Sequence, residues 1–72
     1  MNKLKLPLAK NIKKLRKSKG ISQDKLSKLA GVTLHTITKI ESEATLDPRV
    51  ETVKRIADAL GCTIDNLVST KN

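Results

Sequence analysis

Apolar residues recur at helical spacing along most of the chain. Leu8, Ile12 and Leu15 follow at steps of four and three, with lysines on the remaining faces, and predict an amphipathic helix over residues 8–18. Pro7 suits its first turn and Gly20 ends it. Three later helices share one starting device. Ile21-Ser22 precedes Leu26, Val32-Thr33 precedes Ile37, and Cys62-Thr63 precedes Leu67. In each, the hydroxyl can cap the free N–H groups of the first turn, and the two apolar residues can close on each other as a staple. Helices are therefore predicted over 23–30, 34–42 and 64–69. A further helix over 49–60 follows Asp47-Pro48, carries Val50, Val53, Ile56, Ala57 and Leu60 inward, and stops at Gly61.

None of these helices can bury its apolar stripe alone. The expected fold is all-α, a compact five-helix bundle with short connections. A length of 72 residues is one small domain. It reads as a short basic arm at 1–7, the domain at 8–69 and a tail at 70–72. Phe, Tyr and Trp are absent, so Leu, Ile, Val and Ala must fill the core. The missing rings also bear on function. Proteins that grip single strands or read RNA bases mostly stack the bases on aromatic side chains. A nucleic-acid partner of this chain is therefore expected to be a duplex.

No apolar run approaches the ~18–20 residues of a membrane span, and the first seven residues are not a secretory signal. Cys62 has no second cysteine to pair with, which points to a reducing, cytoplasmic setting. His35 and Cys62, alone of their kinds, cannot assemble a metal site. No metal, cofactor or membrane partner is expected.

Charge changes the picture most. The net charge is +8, and it is uneven. Residues 1–20 hold eight basic groups and no acid, whereas residues 41–72 hold four basic groups against six acids. A partner carrying phosphates would be drawn to the N-terminal half.

Residues 22–41 are the informative stretch. A short helix is followed by Gly31-Val32-Thr33 and then by another short helix. Gly31 can take the left-handed conformation that a tight turn between crossed helices needs. Val32, Ile37 and Ile40 would pin the second helix to the bundle, leaving Leu34, His35, Thr38, Lys39 and Ser42 on its other side. A polar helix face on a basic domain suits the major groove of DNA.

The chain resembles the Xre/Cro-type helix-turn-helix family, which includes the lambdoid phage repressors. The matching residues run Ile12…Leu15-Arg16…Gly20-Ile21-Ser22-Gln23…Leu26…Leu29-Ala30-Gly31-Val32-Thr33…Ile37…Ile40-Glu41, and continue Pro48…Val53…Ile56-Ala57…Leu60-Gly61…Ile64-Asp65…Leu67. The resemblance implies a lambda repressor-like fold with the second and third helices as the helix-turn-helix. It implies sequence-specific binding of double-stranded DNA, usually by a homodimer on a palindromic operator. The setting it implies is prokaryotic or phage, in the cytoplasm and at the nucleoid.

Particular residues inherit expectations from this resemblance. Leu34, His35, Thr38 and Lys39 match positions that touch bases. Lys39 could donate to guanine, Leu34 could pack on a thymine methyl, and His35 and Thr38 could donate or accept. Ser22, Gln23, Thr33, Thr36, Ser42, Lys10 and Arg16 are the expected phosphate contacts, Ser22 and Thr33 being caps first. Arg16 and Glu41 match positions that pair across the first and third helices, which would fix the reading helix to the scaffold. Lys3, Lys5 and Lys10 lie in or just after the arm, which could follow the DNA backbone or enter the minor groove, or be a frayed, solvated terminus.

The chain departs from the pattern in two places. Ser27 stands where Ala is commonest, and is small enough to let the helices cross. Ser42-Glu43-Ala44-Thr45 stands where relatives often carry Gly and basic residues, and Glu43 would repel a phosphate. Asp65 suits the start of the last helix.

A transcriptional repressor is the leading expectation. The alternatives are the DNA-binding part of a longer regulator, or a protein-interaction module such as an antitoxin-like subunit with an apolar patch around Leu46 and the last helix. That same surface, with Val68, is the expected dimer contact. No nucleophile–base pair, phosphate-binding glycine loop or paired acid suggests an enzyme. Binding to a membrane surface would need the apolar face of the first helix, which the core requires.

Overall fold

A computed structural model describes residues 7–44 and 48–68. Lys3 and Lys5 of the expected arm, Leu46 of the expected contact surface, Asp47, and the tail at 70–72 lie outside the described residues. Five α-helices follow in order: α1 (Leu8–Ser18), α2 (Gln23–Ala30), α3 (Leu34–Glu41), α4 (Val50–Leu60) and α5 (Ile64–Val68). The expected all-helical bundle is the fold observed.

The predicted starts have the physical basis assigned to them. Ser22 is the N-cap of α2, and its Oγ accepts the Lys25 N–H at 3.0 Å. Thr33 is the N-cap of α3, with the Thr36 N–H 3.1 Å from its Oγ1. Before α5 the capping is reciprocal. Thr63 Oγ1 accepts the Asn66 N–H at 3.1 Å, and Asn66 Oδ1 accepts the Thr63 N–H at 3.1 Å. Two ends shift by one residue. Ser42 is the C-cap of α3 and lies outside the helix, and Arg49 precedes α4 as its N-cap. Pro7 caps α1 without a side-chain hydrogen bond, its carbonyl accepting the Asn11 N–H at 2.9 Å.

The core is aliphatic. Ile12, Leu26, Ile37, Ile56, Leu60 and Leu67 are fully buried, joined by Ala30, Ile40, Val53 and Ala57. Ile21, Val32 and Cys62, the outer members of the three staples, pack against this cluster half-buried. α2 packs against α3 and α4, while α1 packs against α3 and α5. Burial pushes the Cys62 thiol up, with Lys19 opposing and Asp58 adding.

Asn11 is the polar group that seats the last helix. It is buried at 5% exposure, and its Nδ2 donates to the Leu67 carbonyl at 2.8 Å. The last carbonyls of a helix have no partner within it, so this bond ties the end of α5 to α1. Ser27 is also buried, and its Oγ donates to the Asp24 carbonyl at 2.6 Å, so the hydroxyl enters the helix crossing satisfied. Among the described residues no helix is long and apolar enough to cross a membrane.

Candidate nucleic-acid interface

The α2–α3 unit is set by its turn. Gly31 has φ +71°, a left-handed conformation that side chains resist. The Val32 N–H then returns to the Ser27 carbonyl at 3.0 Å and closes the end of α2. Two residues later Thr33 caps α3, so the helices are joined by three residues and cannot align. α3 buries Ile37 and Ile40 and leaves Leu34, His35 and Lys39 exposed, with Thr38 half-buried between them.

Hydrogen bonding decides what this face offers. Ser22 and Thr33 accept backbone N–H groups at their caps. Ser22 thereby keeps its hydroxyl proton for a further acceptor. Thr33 and Thr36 lie Oγ1 to Oγ1 at 2.9 Å, and such a pair keeps one of its two hydroxyl protons. Thr38 and Ser42 differ. Thr38 Oγ1 donates to the His35 carbonyl at 2.9 Å, and Ser42 Oγ to the Lys39 carbonyl at 3.1 Å. Both present lone pairs outward. A phosphate, itself an acceptor, would have to draw the Ser42 proton off its own helix.

Beneath this face, three residues from distant elements converge. Arg16 Nε donates to Glu41 Oε2 at 2.8 Å and Arg16 Nη2 to Oε1 at 3.0 Å. Arg16 Nη1 donates to the Ile21 carbonyl at 2.9 Å. Gln23 Nε2 donates to Glu41 Oε1 at 3.0 Å. The Glu41 carboxylate is 2% exposed and the Arg16 side chain 11%. One carboxylate of α3 therefore holds the end of α1 and the start of α2. Burial alone would push the Glu41 carboxyl up. Hydrogen bonds from Arg16 and Gln23, with the charges of Arg16 and Lys13, outweigh it and hold the group below its ordinary range. The hydrogen bond to Glu41 likewise raises Arg16 above its ordinary value against the pull of burial, with the Glu41 charge adding.

The resemblance gives Gln23 a phosphate contact, and gives Arg16 a phosphate contact beside its pairing with Glu41. In the structure Arg16 already spends three N–H groups inside the protein. Gln23 gives one amide N–H to Glu41, and a primary amide has a second. The Gln23–Glu41 bond was not foreseen, because nothing in spacing alone relates residues 18 positions apart.

Two grooves flank the face. His35, Thr36, Lys39 and Ile40 of α3 meet Pro48, Arg49 and Thr52 around a cleft of about 180 Å³. Arg49 thus joins Lys39 and His35 on one surface, a cation that the sequence reading did not single out. A larger groove of about 400 Å³ runs between α1 and the end of α3, lined by Ala9, Lys10, Lys13, Lys14, Lys17, Glu41 and Glu43. Lys10 is exposed there, beside three more lysines. Among the described residues no group of three His, Cys, Asp or Glu side chains could hold a metal ion.

This arrangement has known counterparts. A helix-turn-helix family model matches residues 12–67, well over half of the chain. The chain belongs to the helix-turn-helix family. It is similar to the N-terminal DNA-binding domain of SinR from Bacillus subtilis, at 26% identity and TM-score 0.86, covering 92% of this chain and 96% of that one. It is similar to the P22 c2 repressor, solved in complex with a synthetic operator, at 30% identity and TM-score 0.80, covering 89% and 96%. A family transcriptional regulator from Vibrio cholerae matches at 32% identity and TM-score 0.80, covering 88% of this chain and 35% of that one. A comparison with curated proteins finds no match. These findings make the chain a helix-turn-helix DNA-binding domain of the Xre/Cro/C1 type. Members of this family are DNA-binding transcription regulators rather than enzymes.

Proposed function

We propose that this helix-turn-helix protein is a repressor that occupies a palindromic operator as a homodimer. In this reading α3 lies in the major groove and Leu34, His35, Thr38 and Lys39 meet base edges. Ser22, Gln23, Thr33, Thr36, Ser42, Lys10 and Arg16 face the phosphates, and Arg49 adds a cation on the α4 side. The action is steric and electrostatic: a bound protein blocks access to the DNA it covers, in the cytoplasm and at the nucleoid.

The observation that carries this reading is the anchoring of α3. Its inner side chains Ile37 and Ile40 are buried, and Glu41 ties it to both neighbouring helices. A reading helix must arrive preset, because base contacts tolerate little misplacement. The likeness to the P22 c2 repressor supports an operator as the target. A dimer is favoured because two-fold symmetry doubles the few base contacts that one short helix makes. Val50, expected to face inward, instead stands 73% exposed in the first turn of α4, where the helix has not yet reached the core. It and the half-buried Val68 are apolar groups that a second copy could cover.

A second reading has its own support. This chain spans about a third of the length of the Vibrio cholerae regulator, which supports reading it as the DNA-binding part of a longer regulator.

Selection of binding sites from a random duplex library tests the proposal. The expected result is a palindrome with half-sites about 10 bp apart. A single half-site would replace the homodimer with a monomer reader. Binding without any preferred sequence, lost as salt rises, would leave only the +8 charge at work. On the selected site, Lys39→Ala should cost about 1–3 kcal/mol and relax preference at one base pair, whereas Lys13→Ala should weaken all sequences alike.

A further inference from the structure

Glu43 is the one described residue other than glycine with a positive φ, +65°. It follows Ser42 directly and closes α3, its N–H on the Ile40 carbonyl at 3.1 Å while the Ala44 N–H reaches the Lys39 carbonyl at 2.9 Å. Gly or Asn would be easier there. The side chain is exposed, so no packing demands a glutamate. What the residue does bring is charge in a particular place. It lines the same groove as Lys10, Lys13, Lys14 and Lys17. The carboxylate of Glu41, also on that groove, is already neutralised by Arg16.

We propose that Glu43 is an electrostatic brake on the lysine groove, one that weakens the sequence-independent part of DNA binding. This rests on the reading of the α1 side, with Lys10 and Ser42, as a phosphate-facing surface. The physics is simple. A phosphate backbone approaching α1 meets four ammonium groups and, on the lining of the same groove, the carboxylate of Glu43. The carboxylate attracts the lysines toward itself and repels the phosphate. With that side facing phosphates rather than base edges, the penalty falls on every duplex alike. The protein therefore leaves bulk DNA sooner, and its residence on a site depends more on the contacts of α3.

The test is Glu43→Gln, which keeps the size of the side chain and removes its charge. Its matched control is Asp58→Asn on α4, which raises the net charge equally but lies off the groove, in an exposed pair with Lys54. Affinity of the full chain for a random-sequence duplex of about 20 bp would be measured from low to moderate salt. Glu43→Gln should tighten binding about two- to fivefold at ~0.1 M salt, steepen the salt dependence by up to about one unit, and converge with wild type as salt rises. Asp58→Asn should change binding less. Thermal melting of both variants checks that each is folded. Unchanged or weaker binding by Glu43→Gln overturns the brake, as does equal tightening by Asp58→Asn, which would assign the effect to net charge. If wild-type protein binds no duplex at any salt, the reading of this surface as a DNA interface falls, and the brake falls with it.

Discussion

The two helices of the helix-turn-helix end in the same hydrogen-bonded form on different residues. At the end of α2 the Val32 N–H reaches back to Ser27, and at the end of α3 the Ala44 N–H reaches back to Lys39. The residue inside the first loop is Gly31, at φ +71°, and inside the second is Glu43, at φ +65°. The surroundings explain the difference. A Cβ on Gly31 would stand 3.3 Å from Arg55 Nη1, between α2 and α4. Glu43 is exposed. The first turn fixes the angle between two packed helices, so its geometry must be inexpensive and close-fitting. The second is held from one turn upstream, where Glu41 is clamped by Arg16 and Gln23. A helix end secured by a side-chain network tolerates a poorer residue in its closing turn.

Cutting the network should therefore have the largest effect. Glu41→Ala would leave the Arg16 guanidinium, 11% exposed, without its carboxylate. Breaking a buried pair on one side costs about 3–5 kcal/mol. A chain of this size holds roughly 4–11 kcal/mol in all, so the variant should melt far below wild type or fail to fold. A melting temperature within a few degrees of wild type would show that the α3 turn holds itself. The same carboxylate sets a pH dependence. Its folded pKa lies below the ordinary value of 4.5, so the unfolded chain takes up the proton first. The stability it contributes is complete above that value and is lost as pH falls through the folded pKa. Acid melts of wild type should show this loss, and Glu41→Gln should flatten it.

The next effect belongs to the α2 turn. Gly31→Ala forces a side chain into the left-handed region and presses it on the end of Arg55. The Arg55 terminus is flexible and can move, so most of the cost is conformational, about 1–2 kcal/mol. Glu43→Ala at the other turn keeps an L-residue at a similar φ and should change melting by less than about 0.5 kcal/mol. Equal losses at both positions would remove the contrast between the two turns.

Much of this was legible in the sequence, and for identifiable reasons. The starts of α2, α3 and α5 were readable because a capping hydroxyl acts on the residue three positions on, within a single local window. The ends at Gly31 and Gly61 were readable because only glycine takes that conformation without cost. The all-aliphatic core followed from the absence of rings. What stayed hidden needed three-dimensional neighbours. Asn11 read as one more polar position on α1, yet it caps α5 from 56 residues away. Gln23 matched a phosphate position, and its bond to Glu41 shows only once α3 crosses α2. Arg49 reaches the face of Lys39 because the start of α4 folds back beside α3. The sequence did flag Glu43 as out of pattern through its charge, but not through its backbone.

The one expected gain in stability is the most specific to that backbone. Glu43→Gly should stabilise the protein, since the residue already sits where glycine is at ease. Against this gain, glycine adds freedom to the unfolded chain. The conformational penalty of about 1–2 kcal/mol for a left-handed L-residue is offset in part by that entropy, roughly 0.5–1 kcal/mol. The net is an increase of about 0.5–1 kcal/mol, a rise of a few degrees in melting temperature for a chain this short. Glu43→Asn separates the two terms, because Asn enters the left-handed region more readily than Glu without glycine's added freedom. If Glu43→Gly melts lower than wild type while Glu43→Asn does not, chain entropy outweighs strain at this turn. If both melt lower, the carboxylate itself contributes to the end of α3, and the turn is stabilised by the lysine groove beside it rather than merely tolerated.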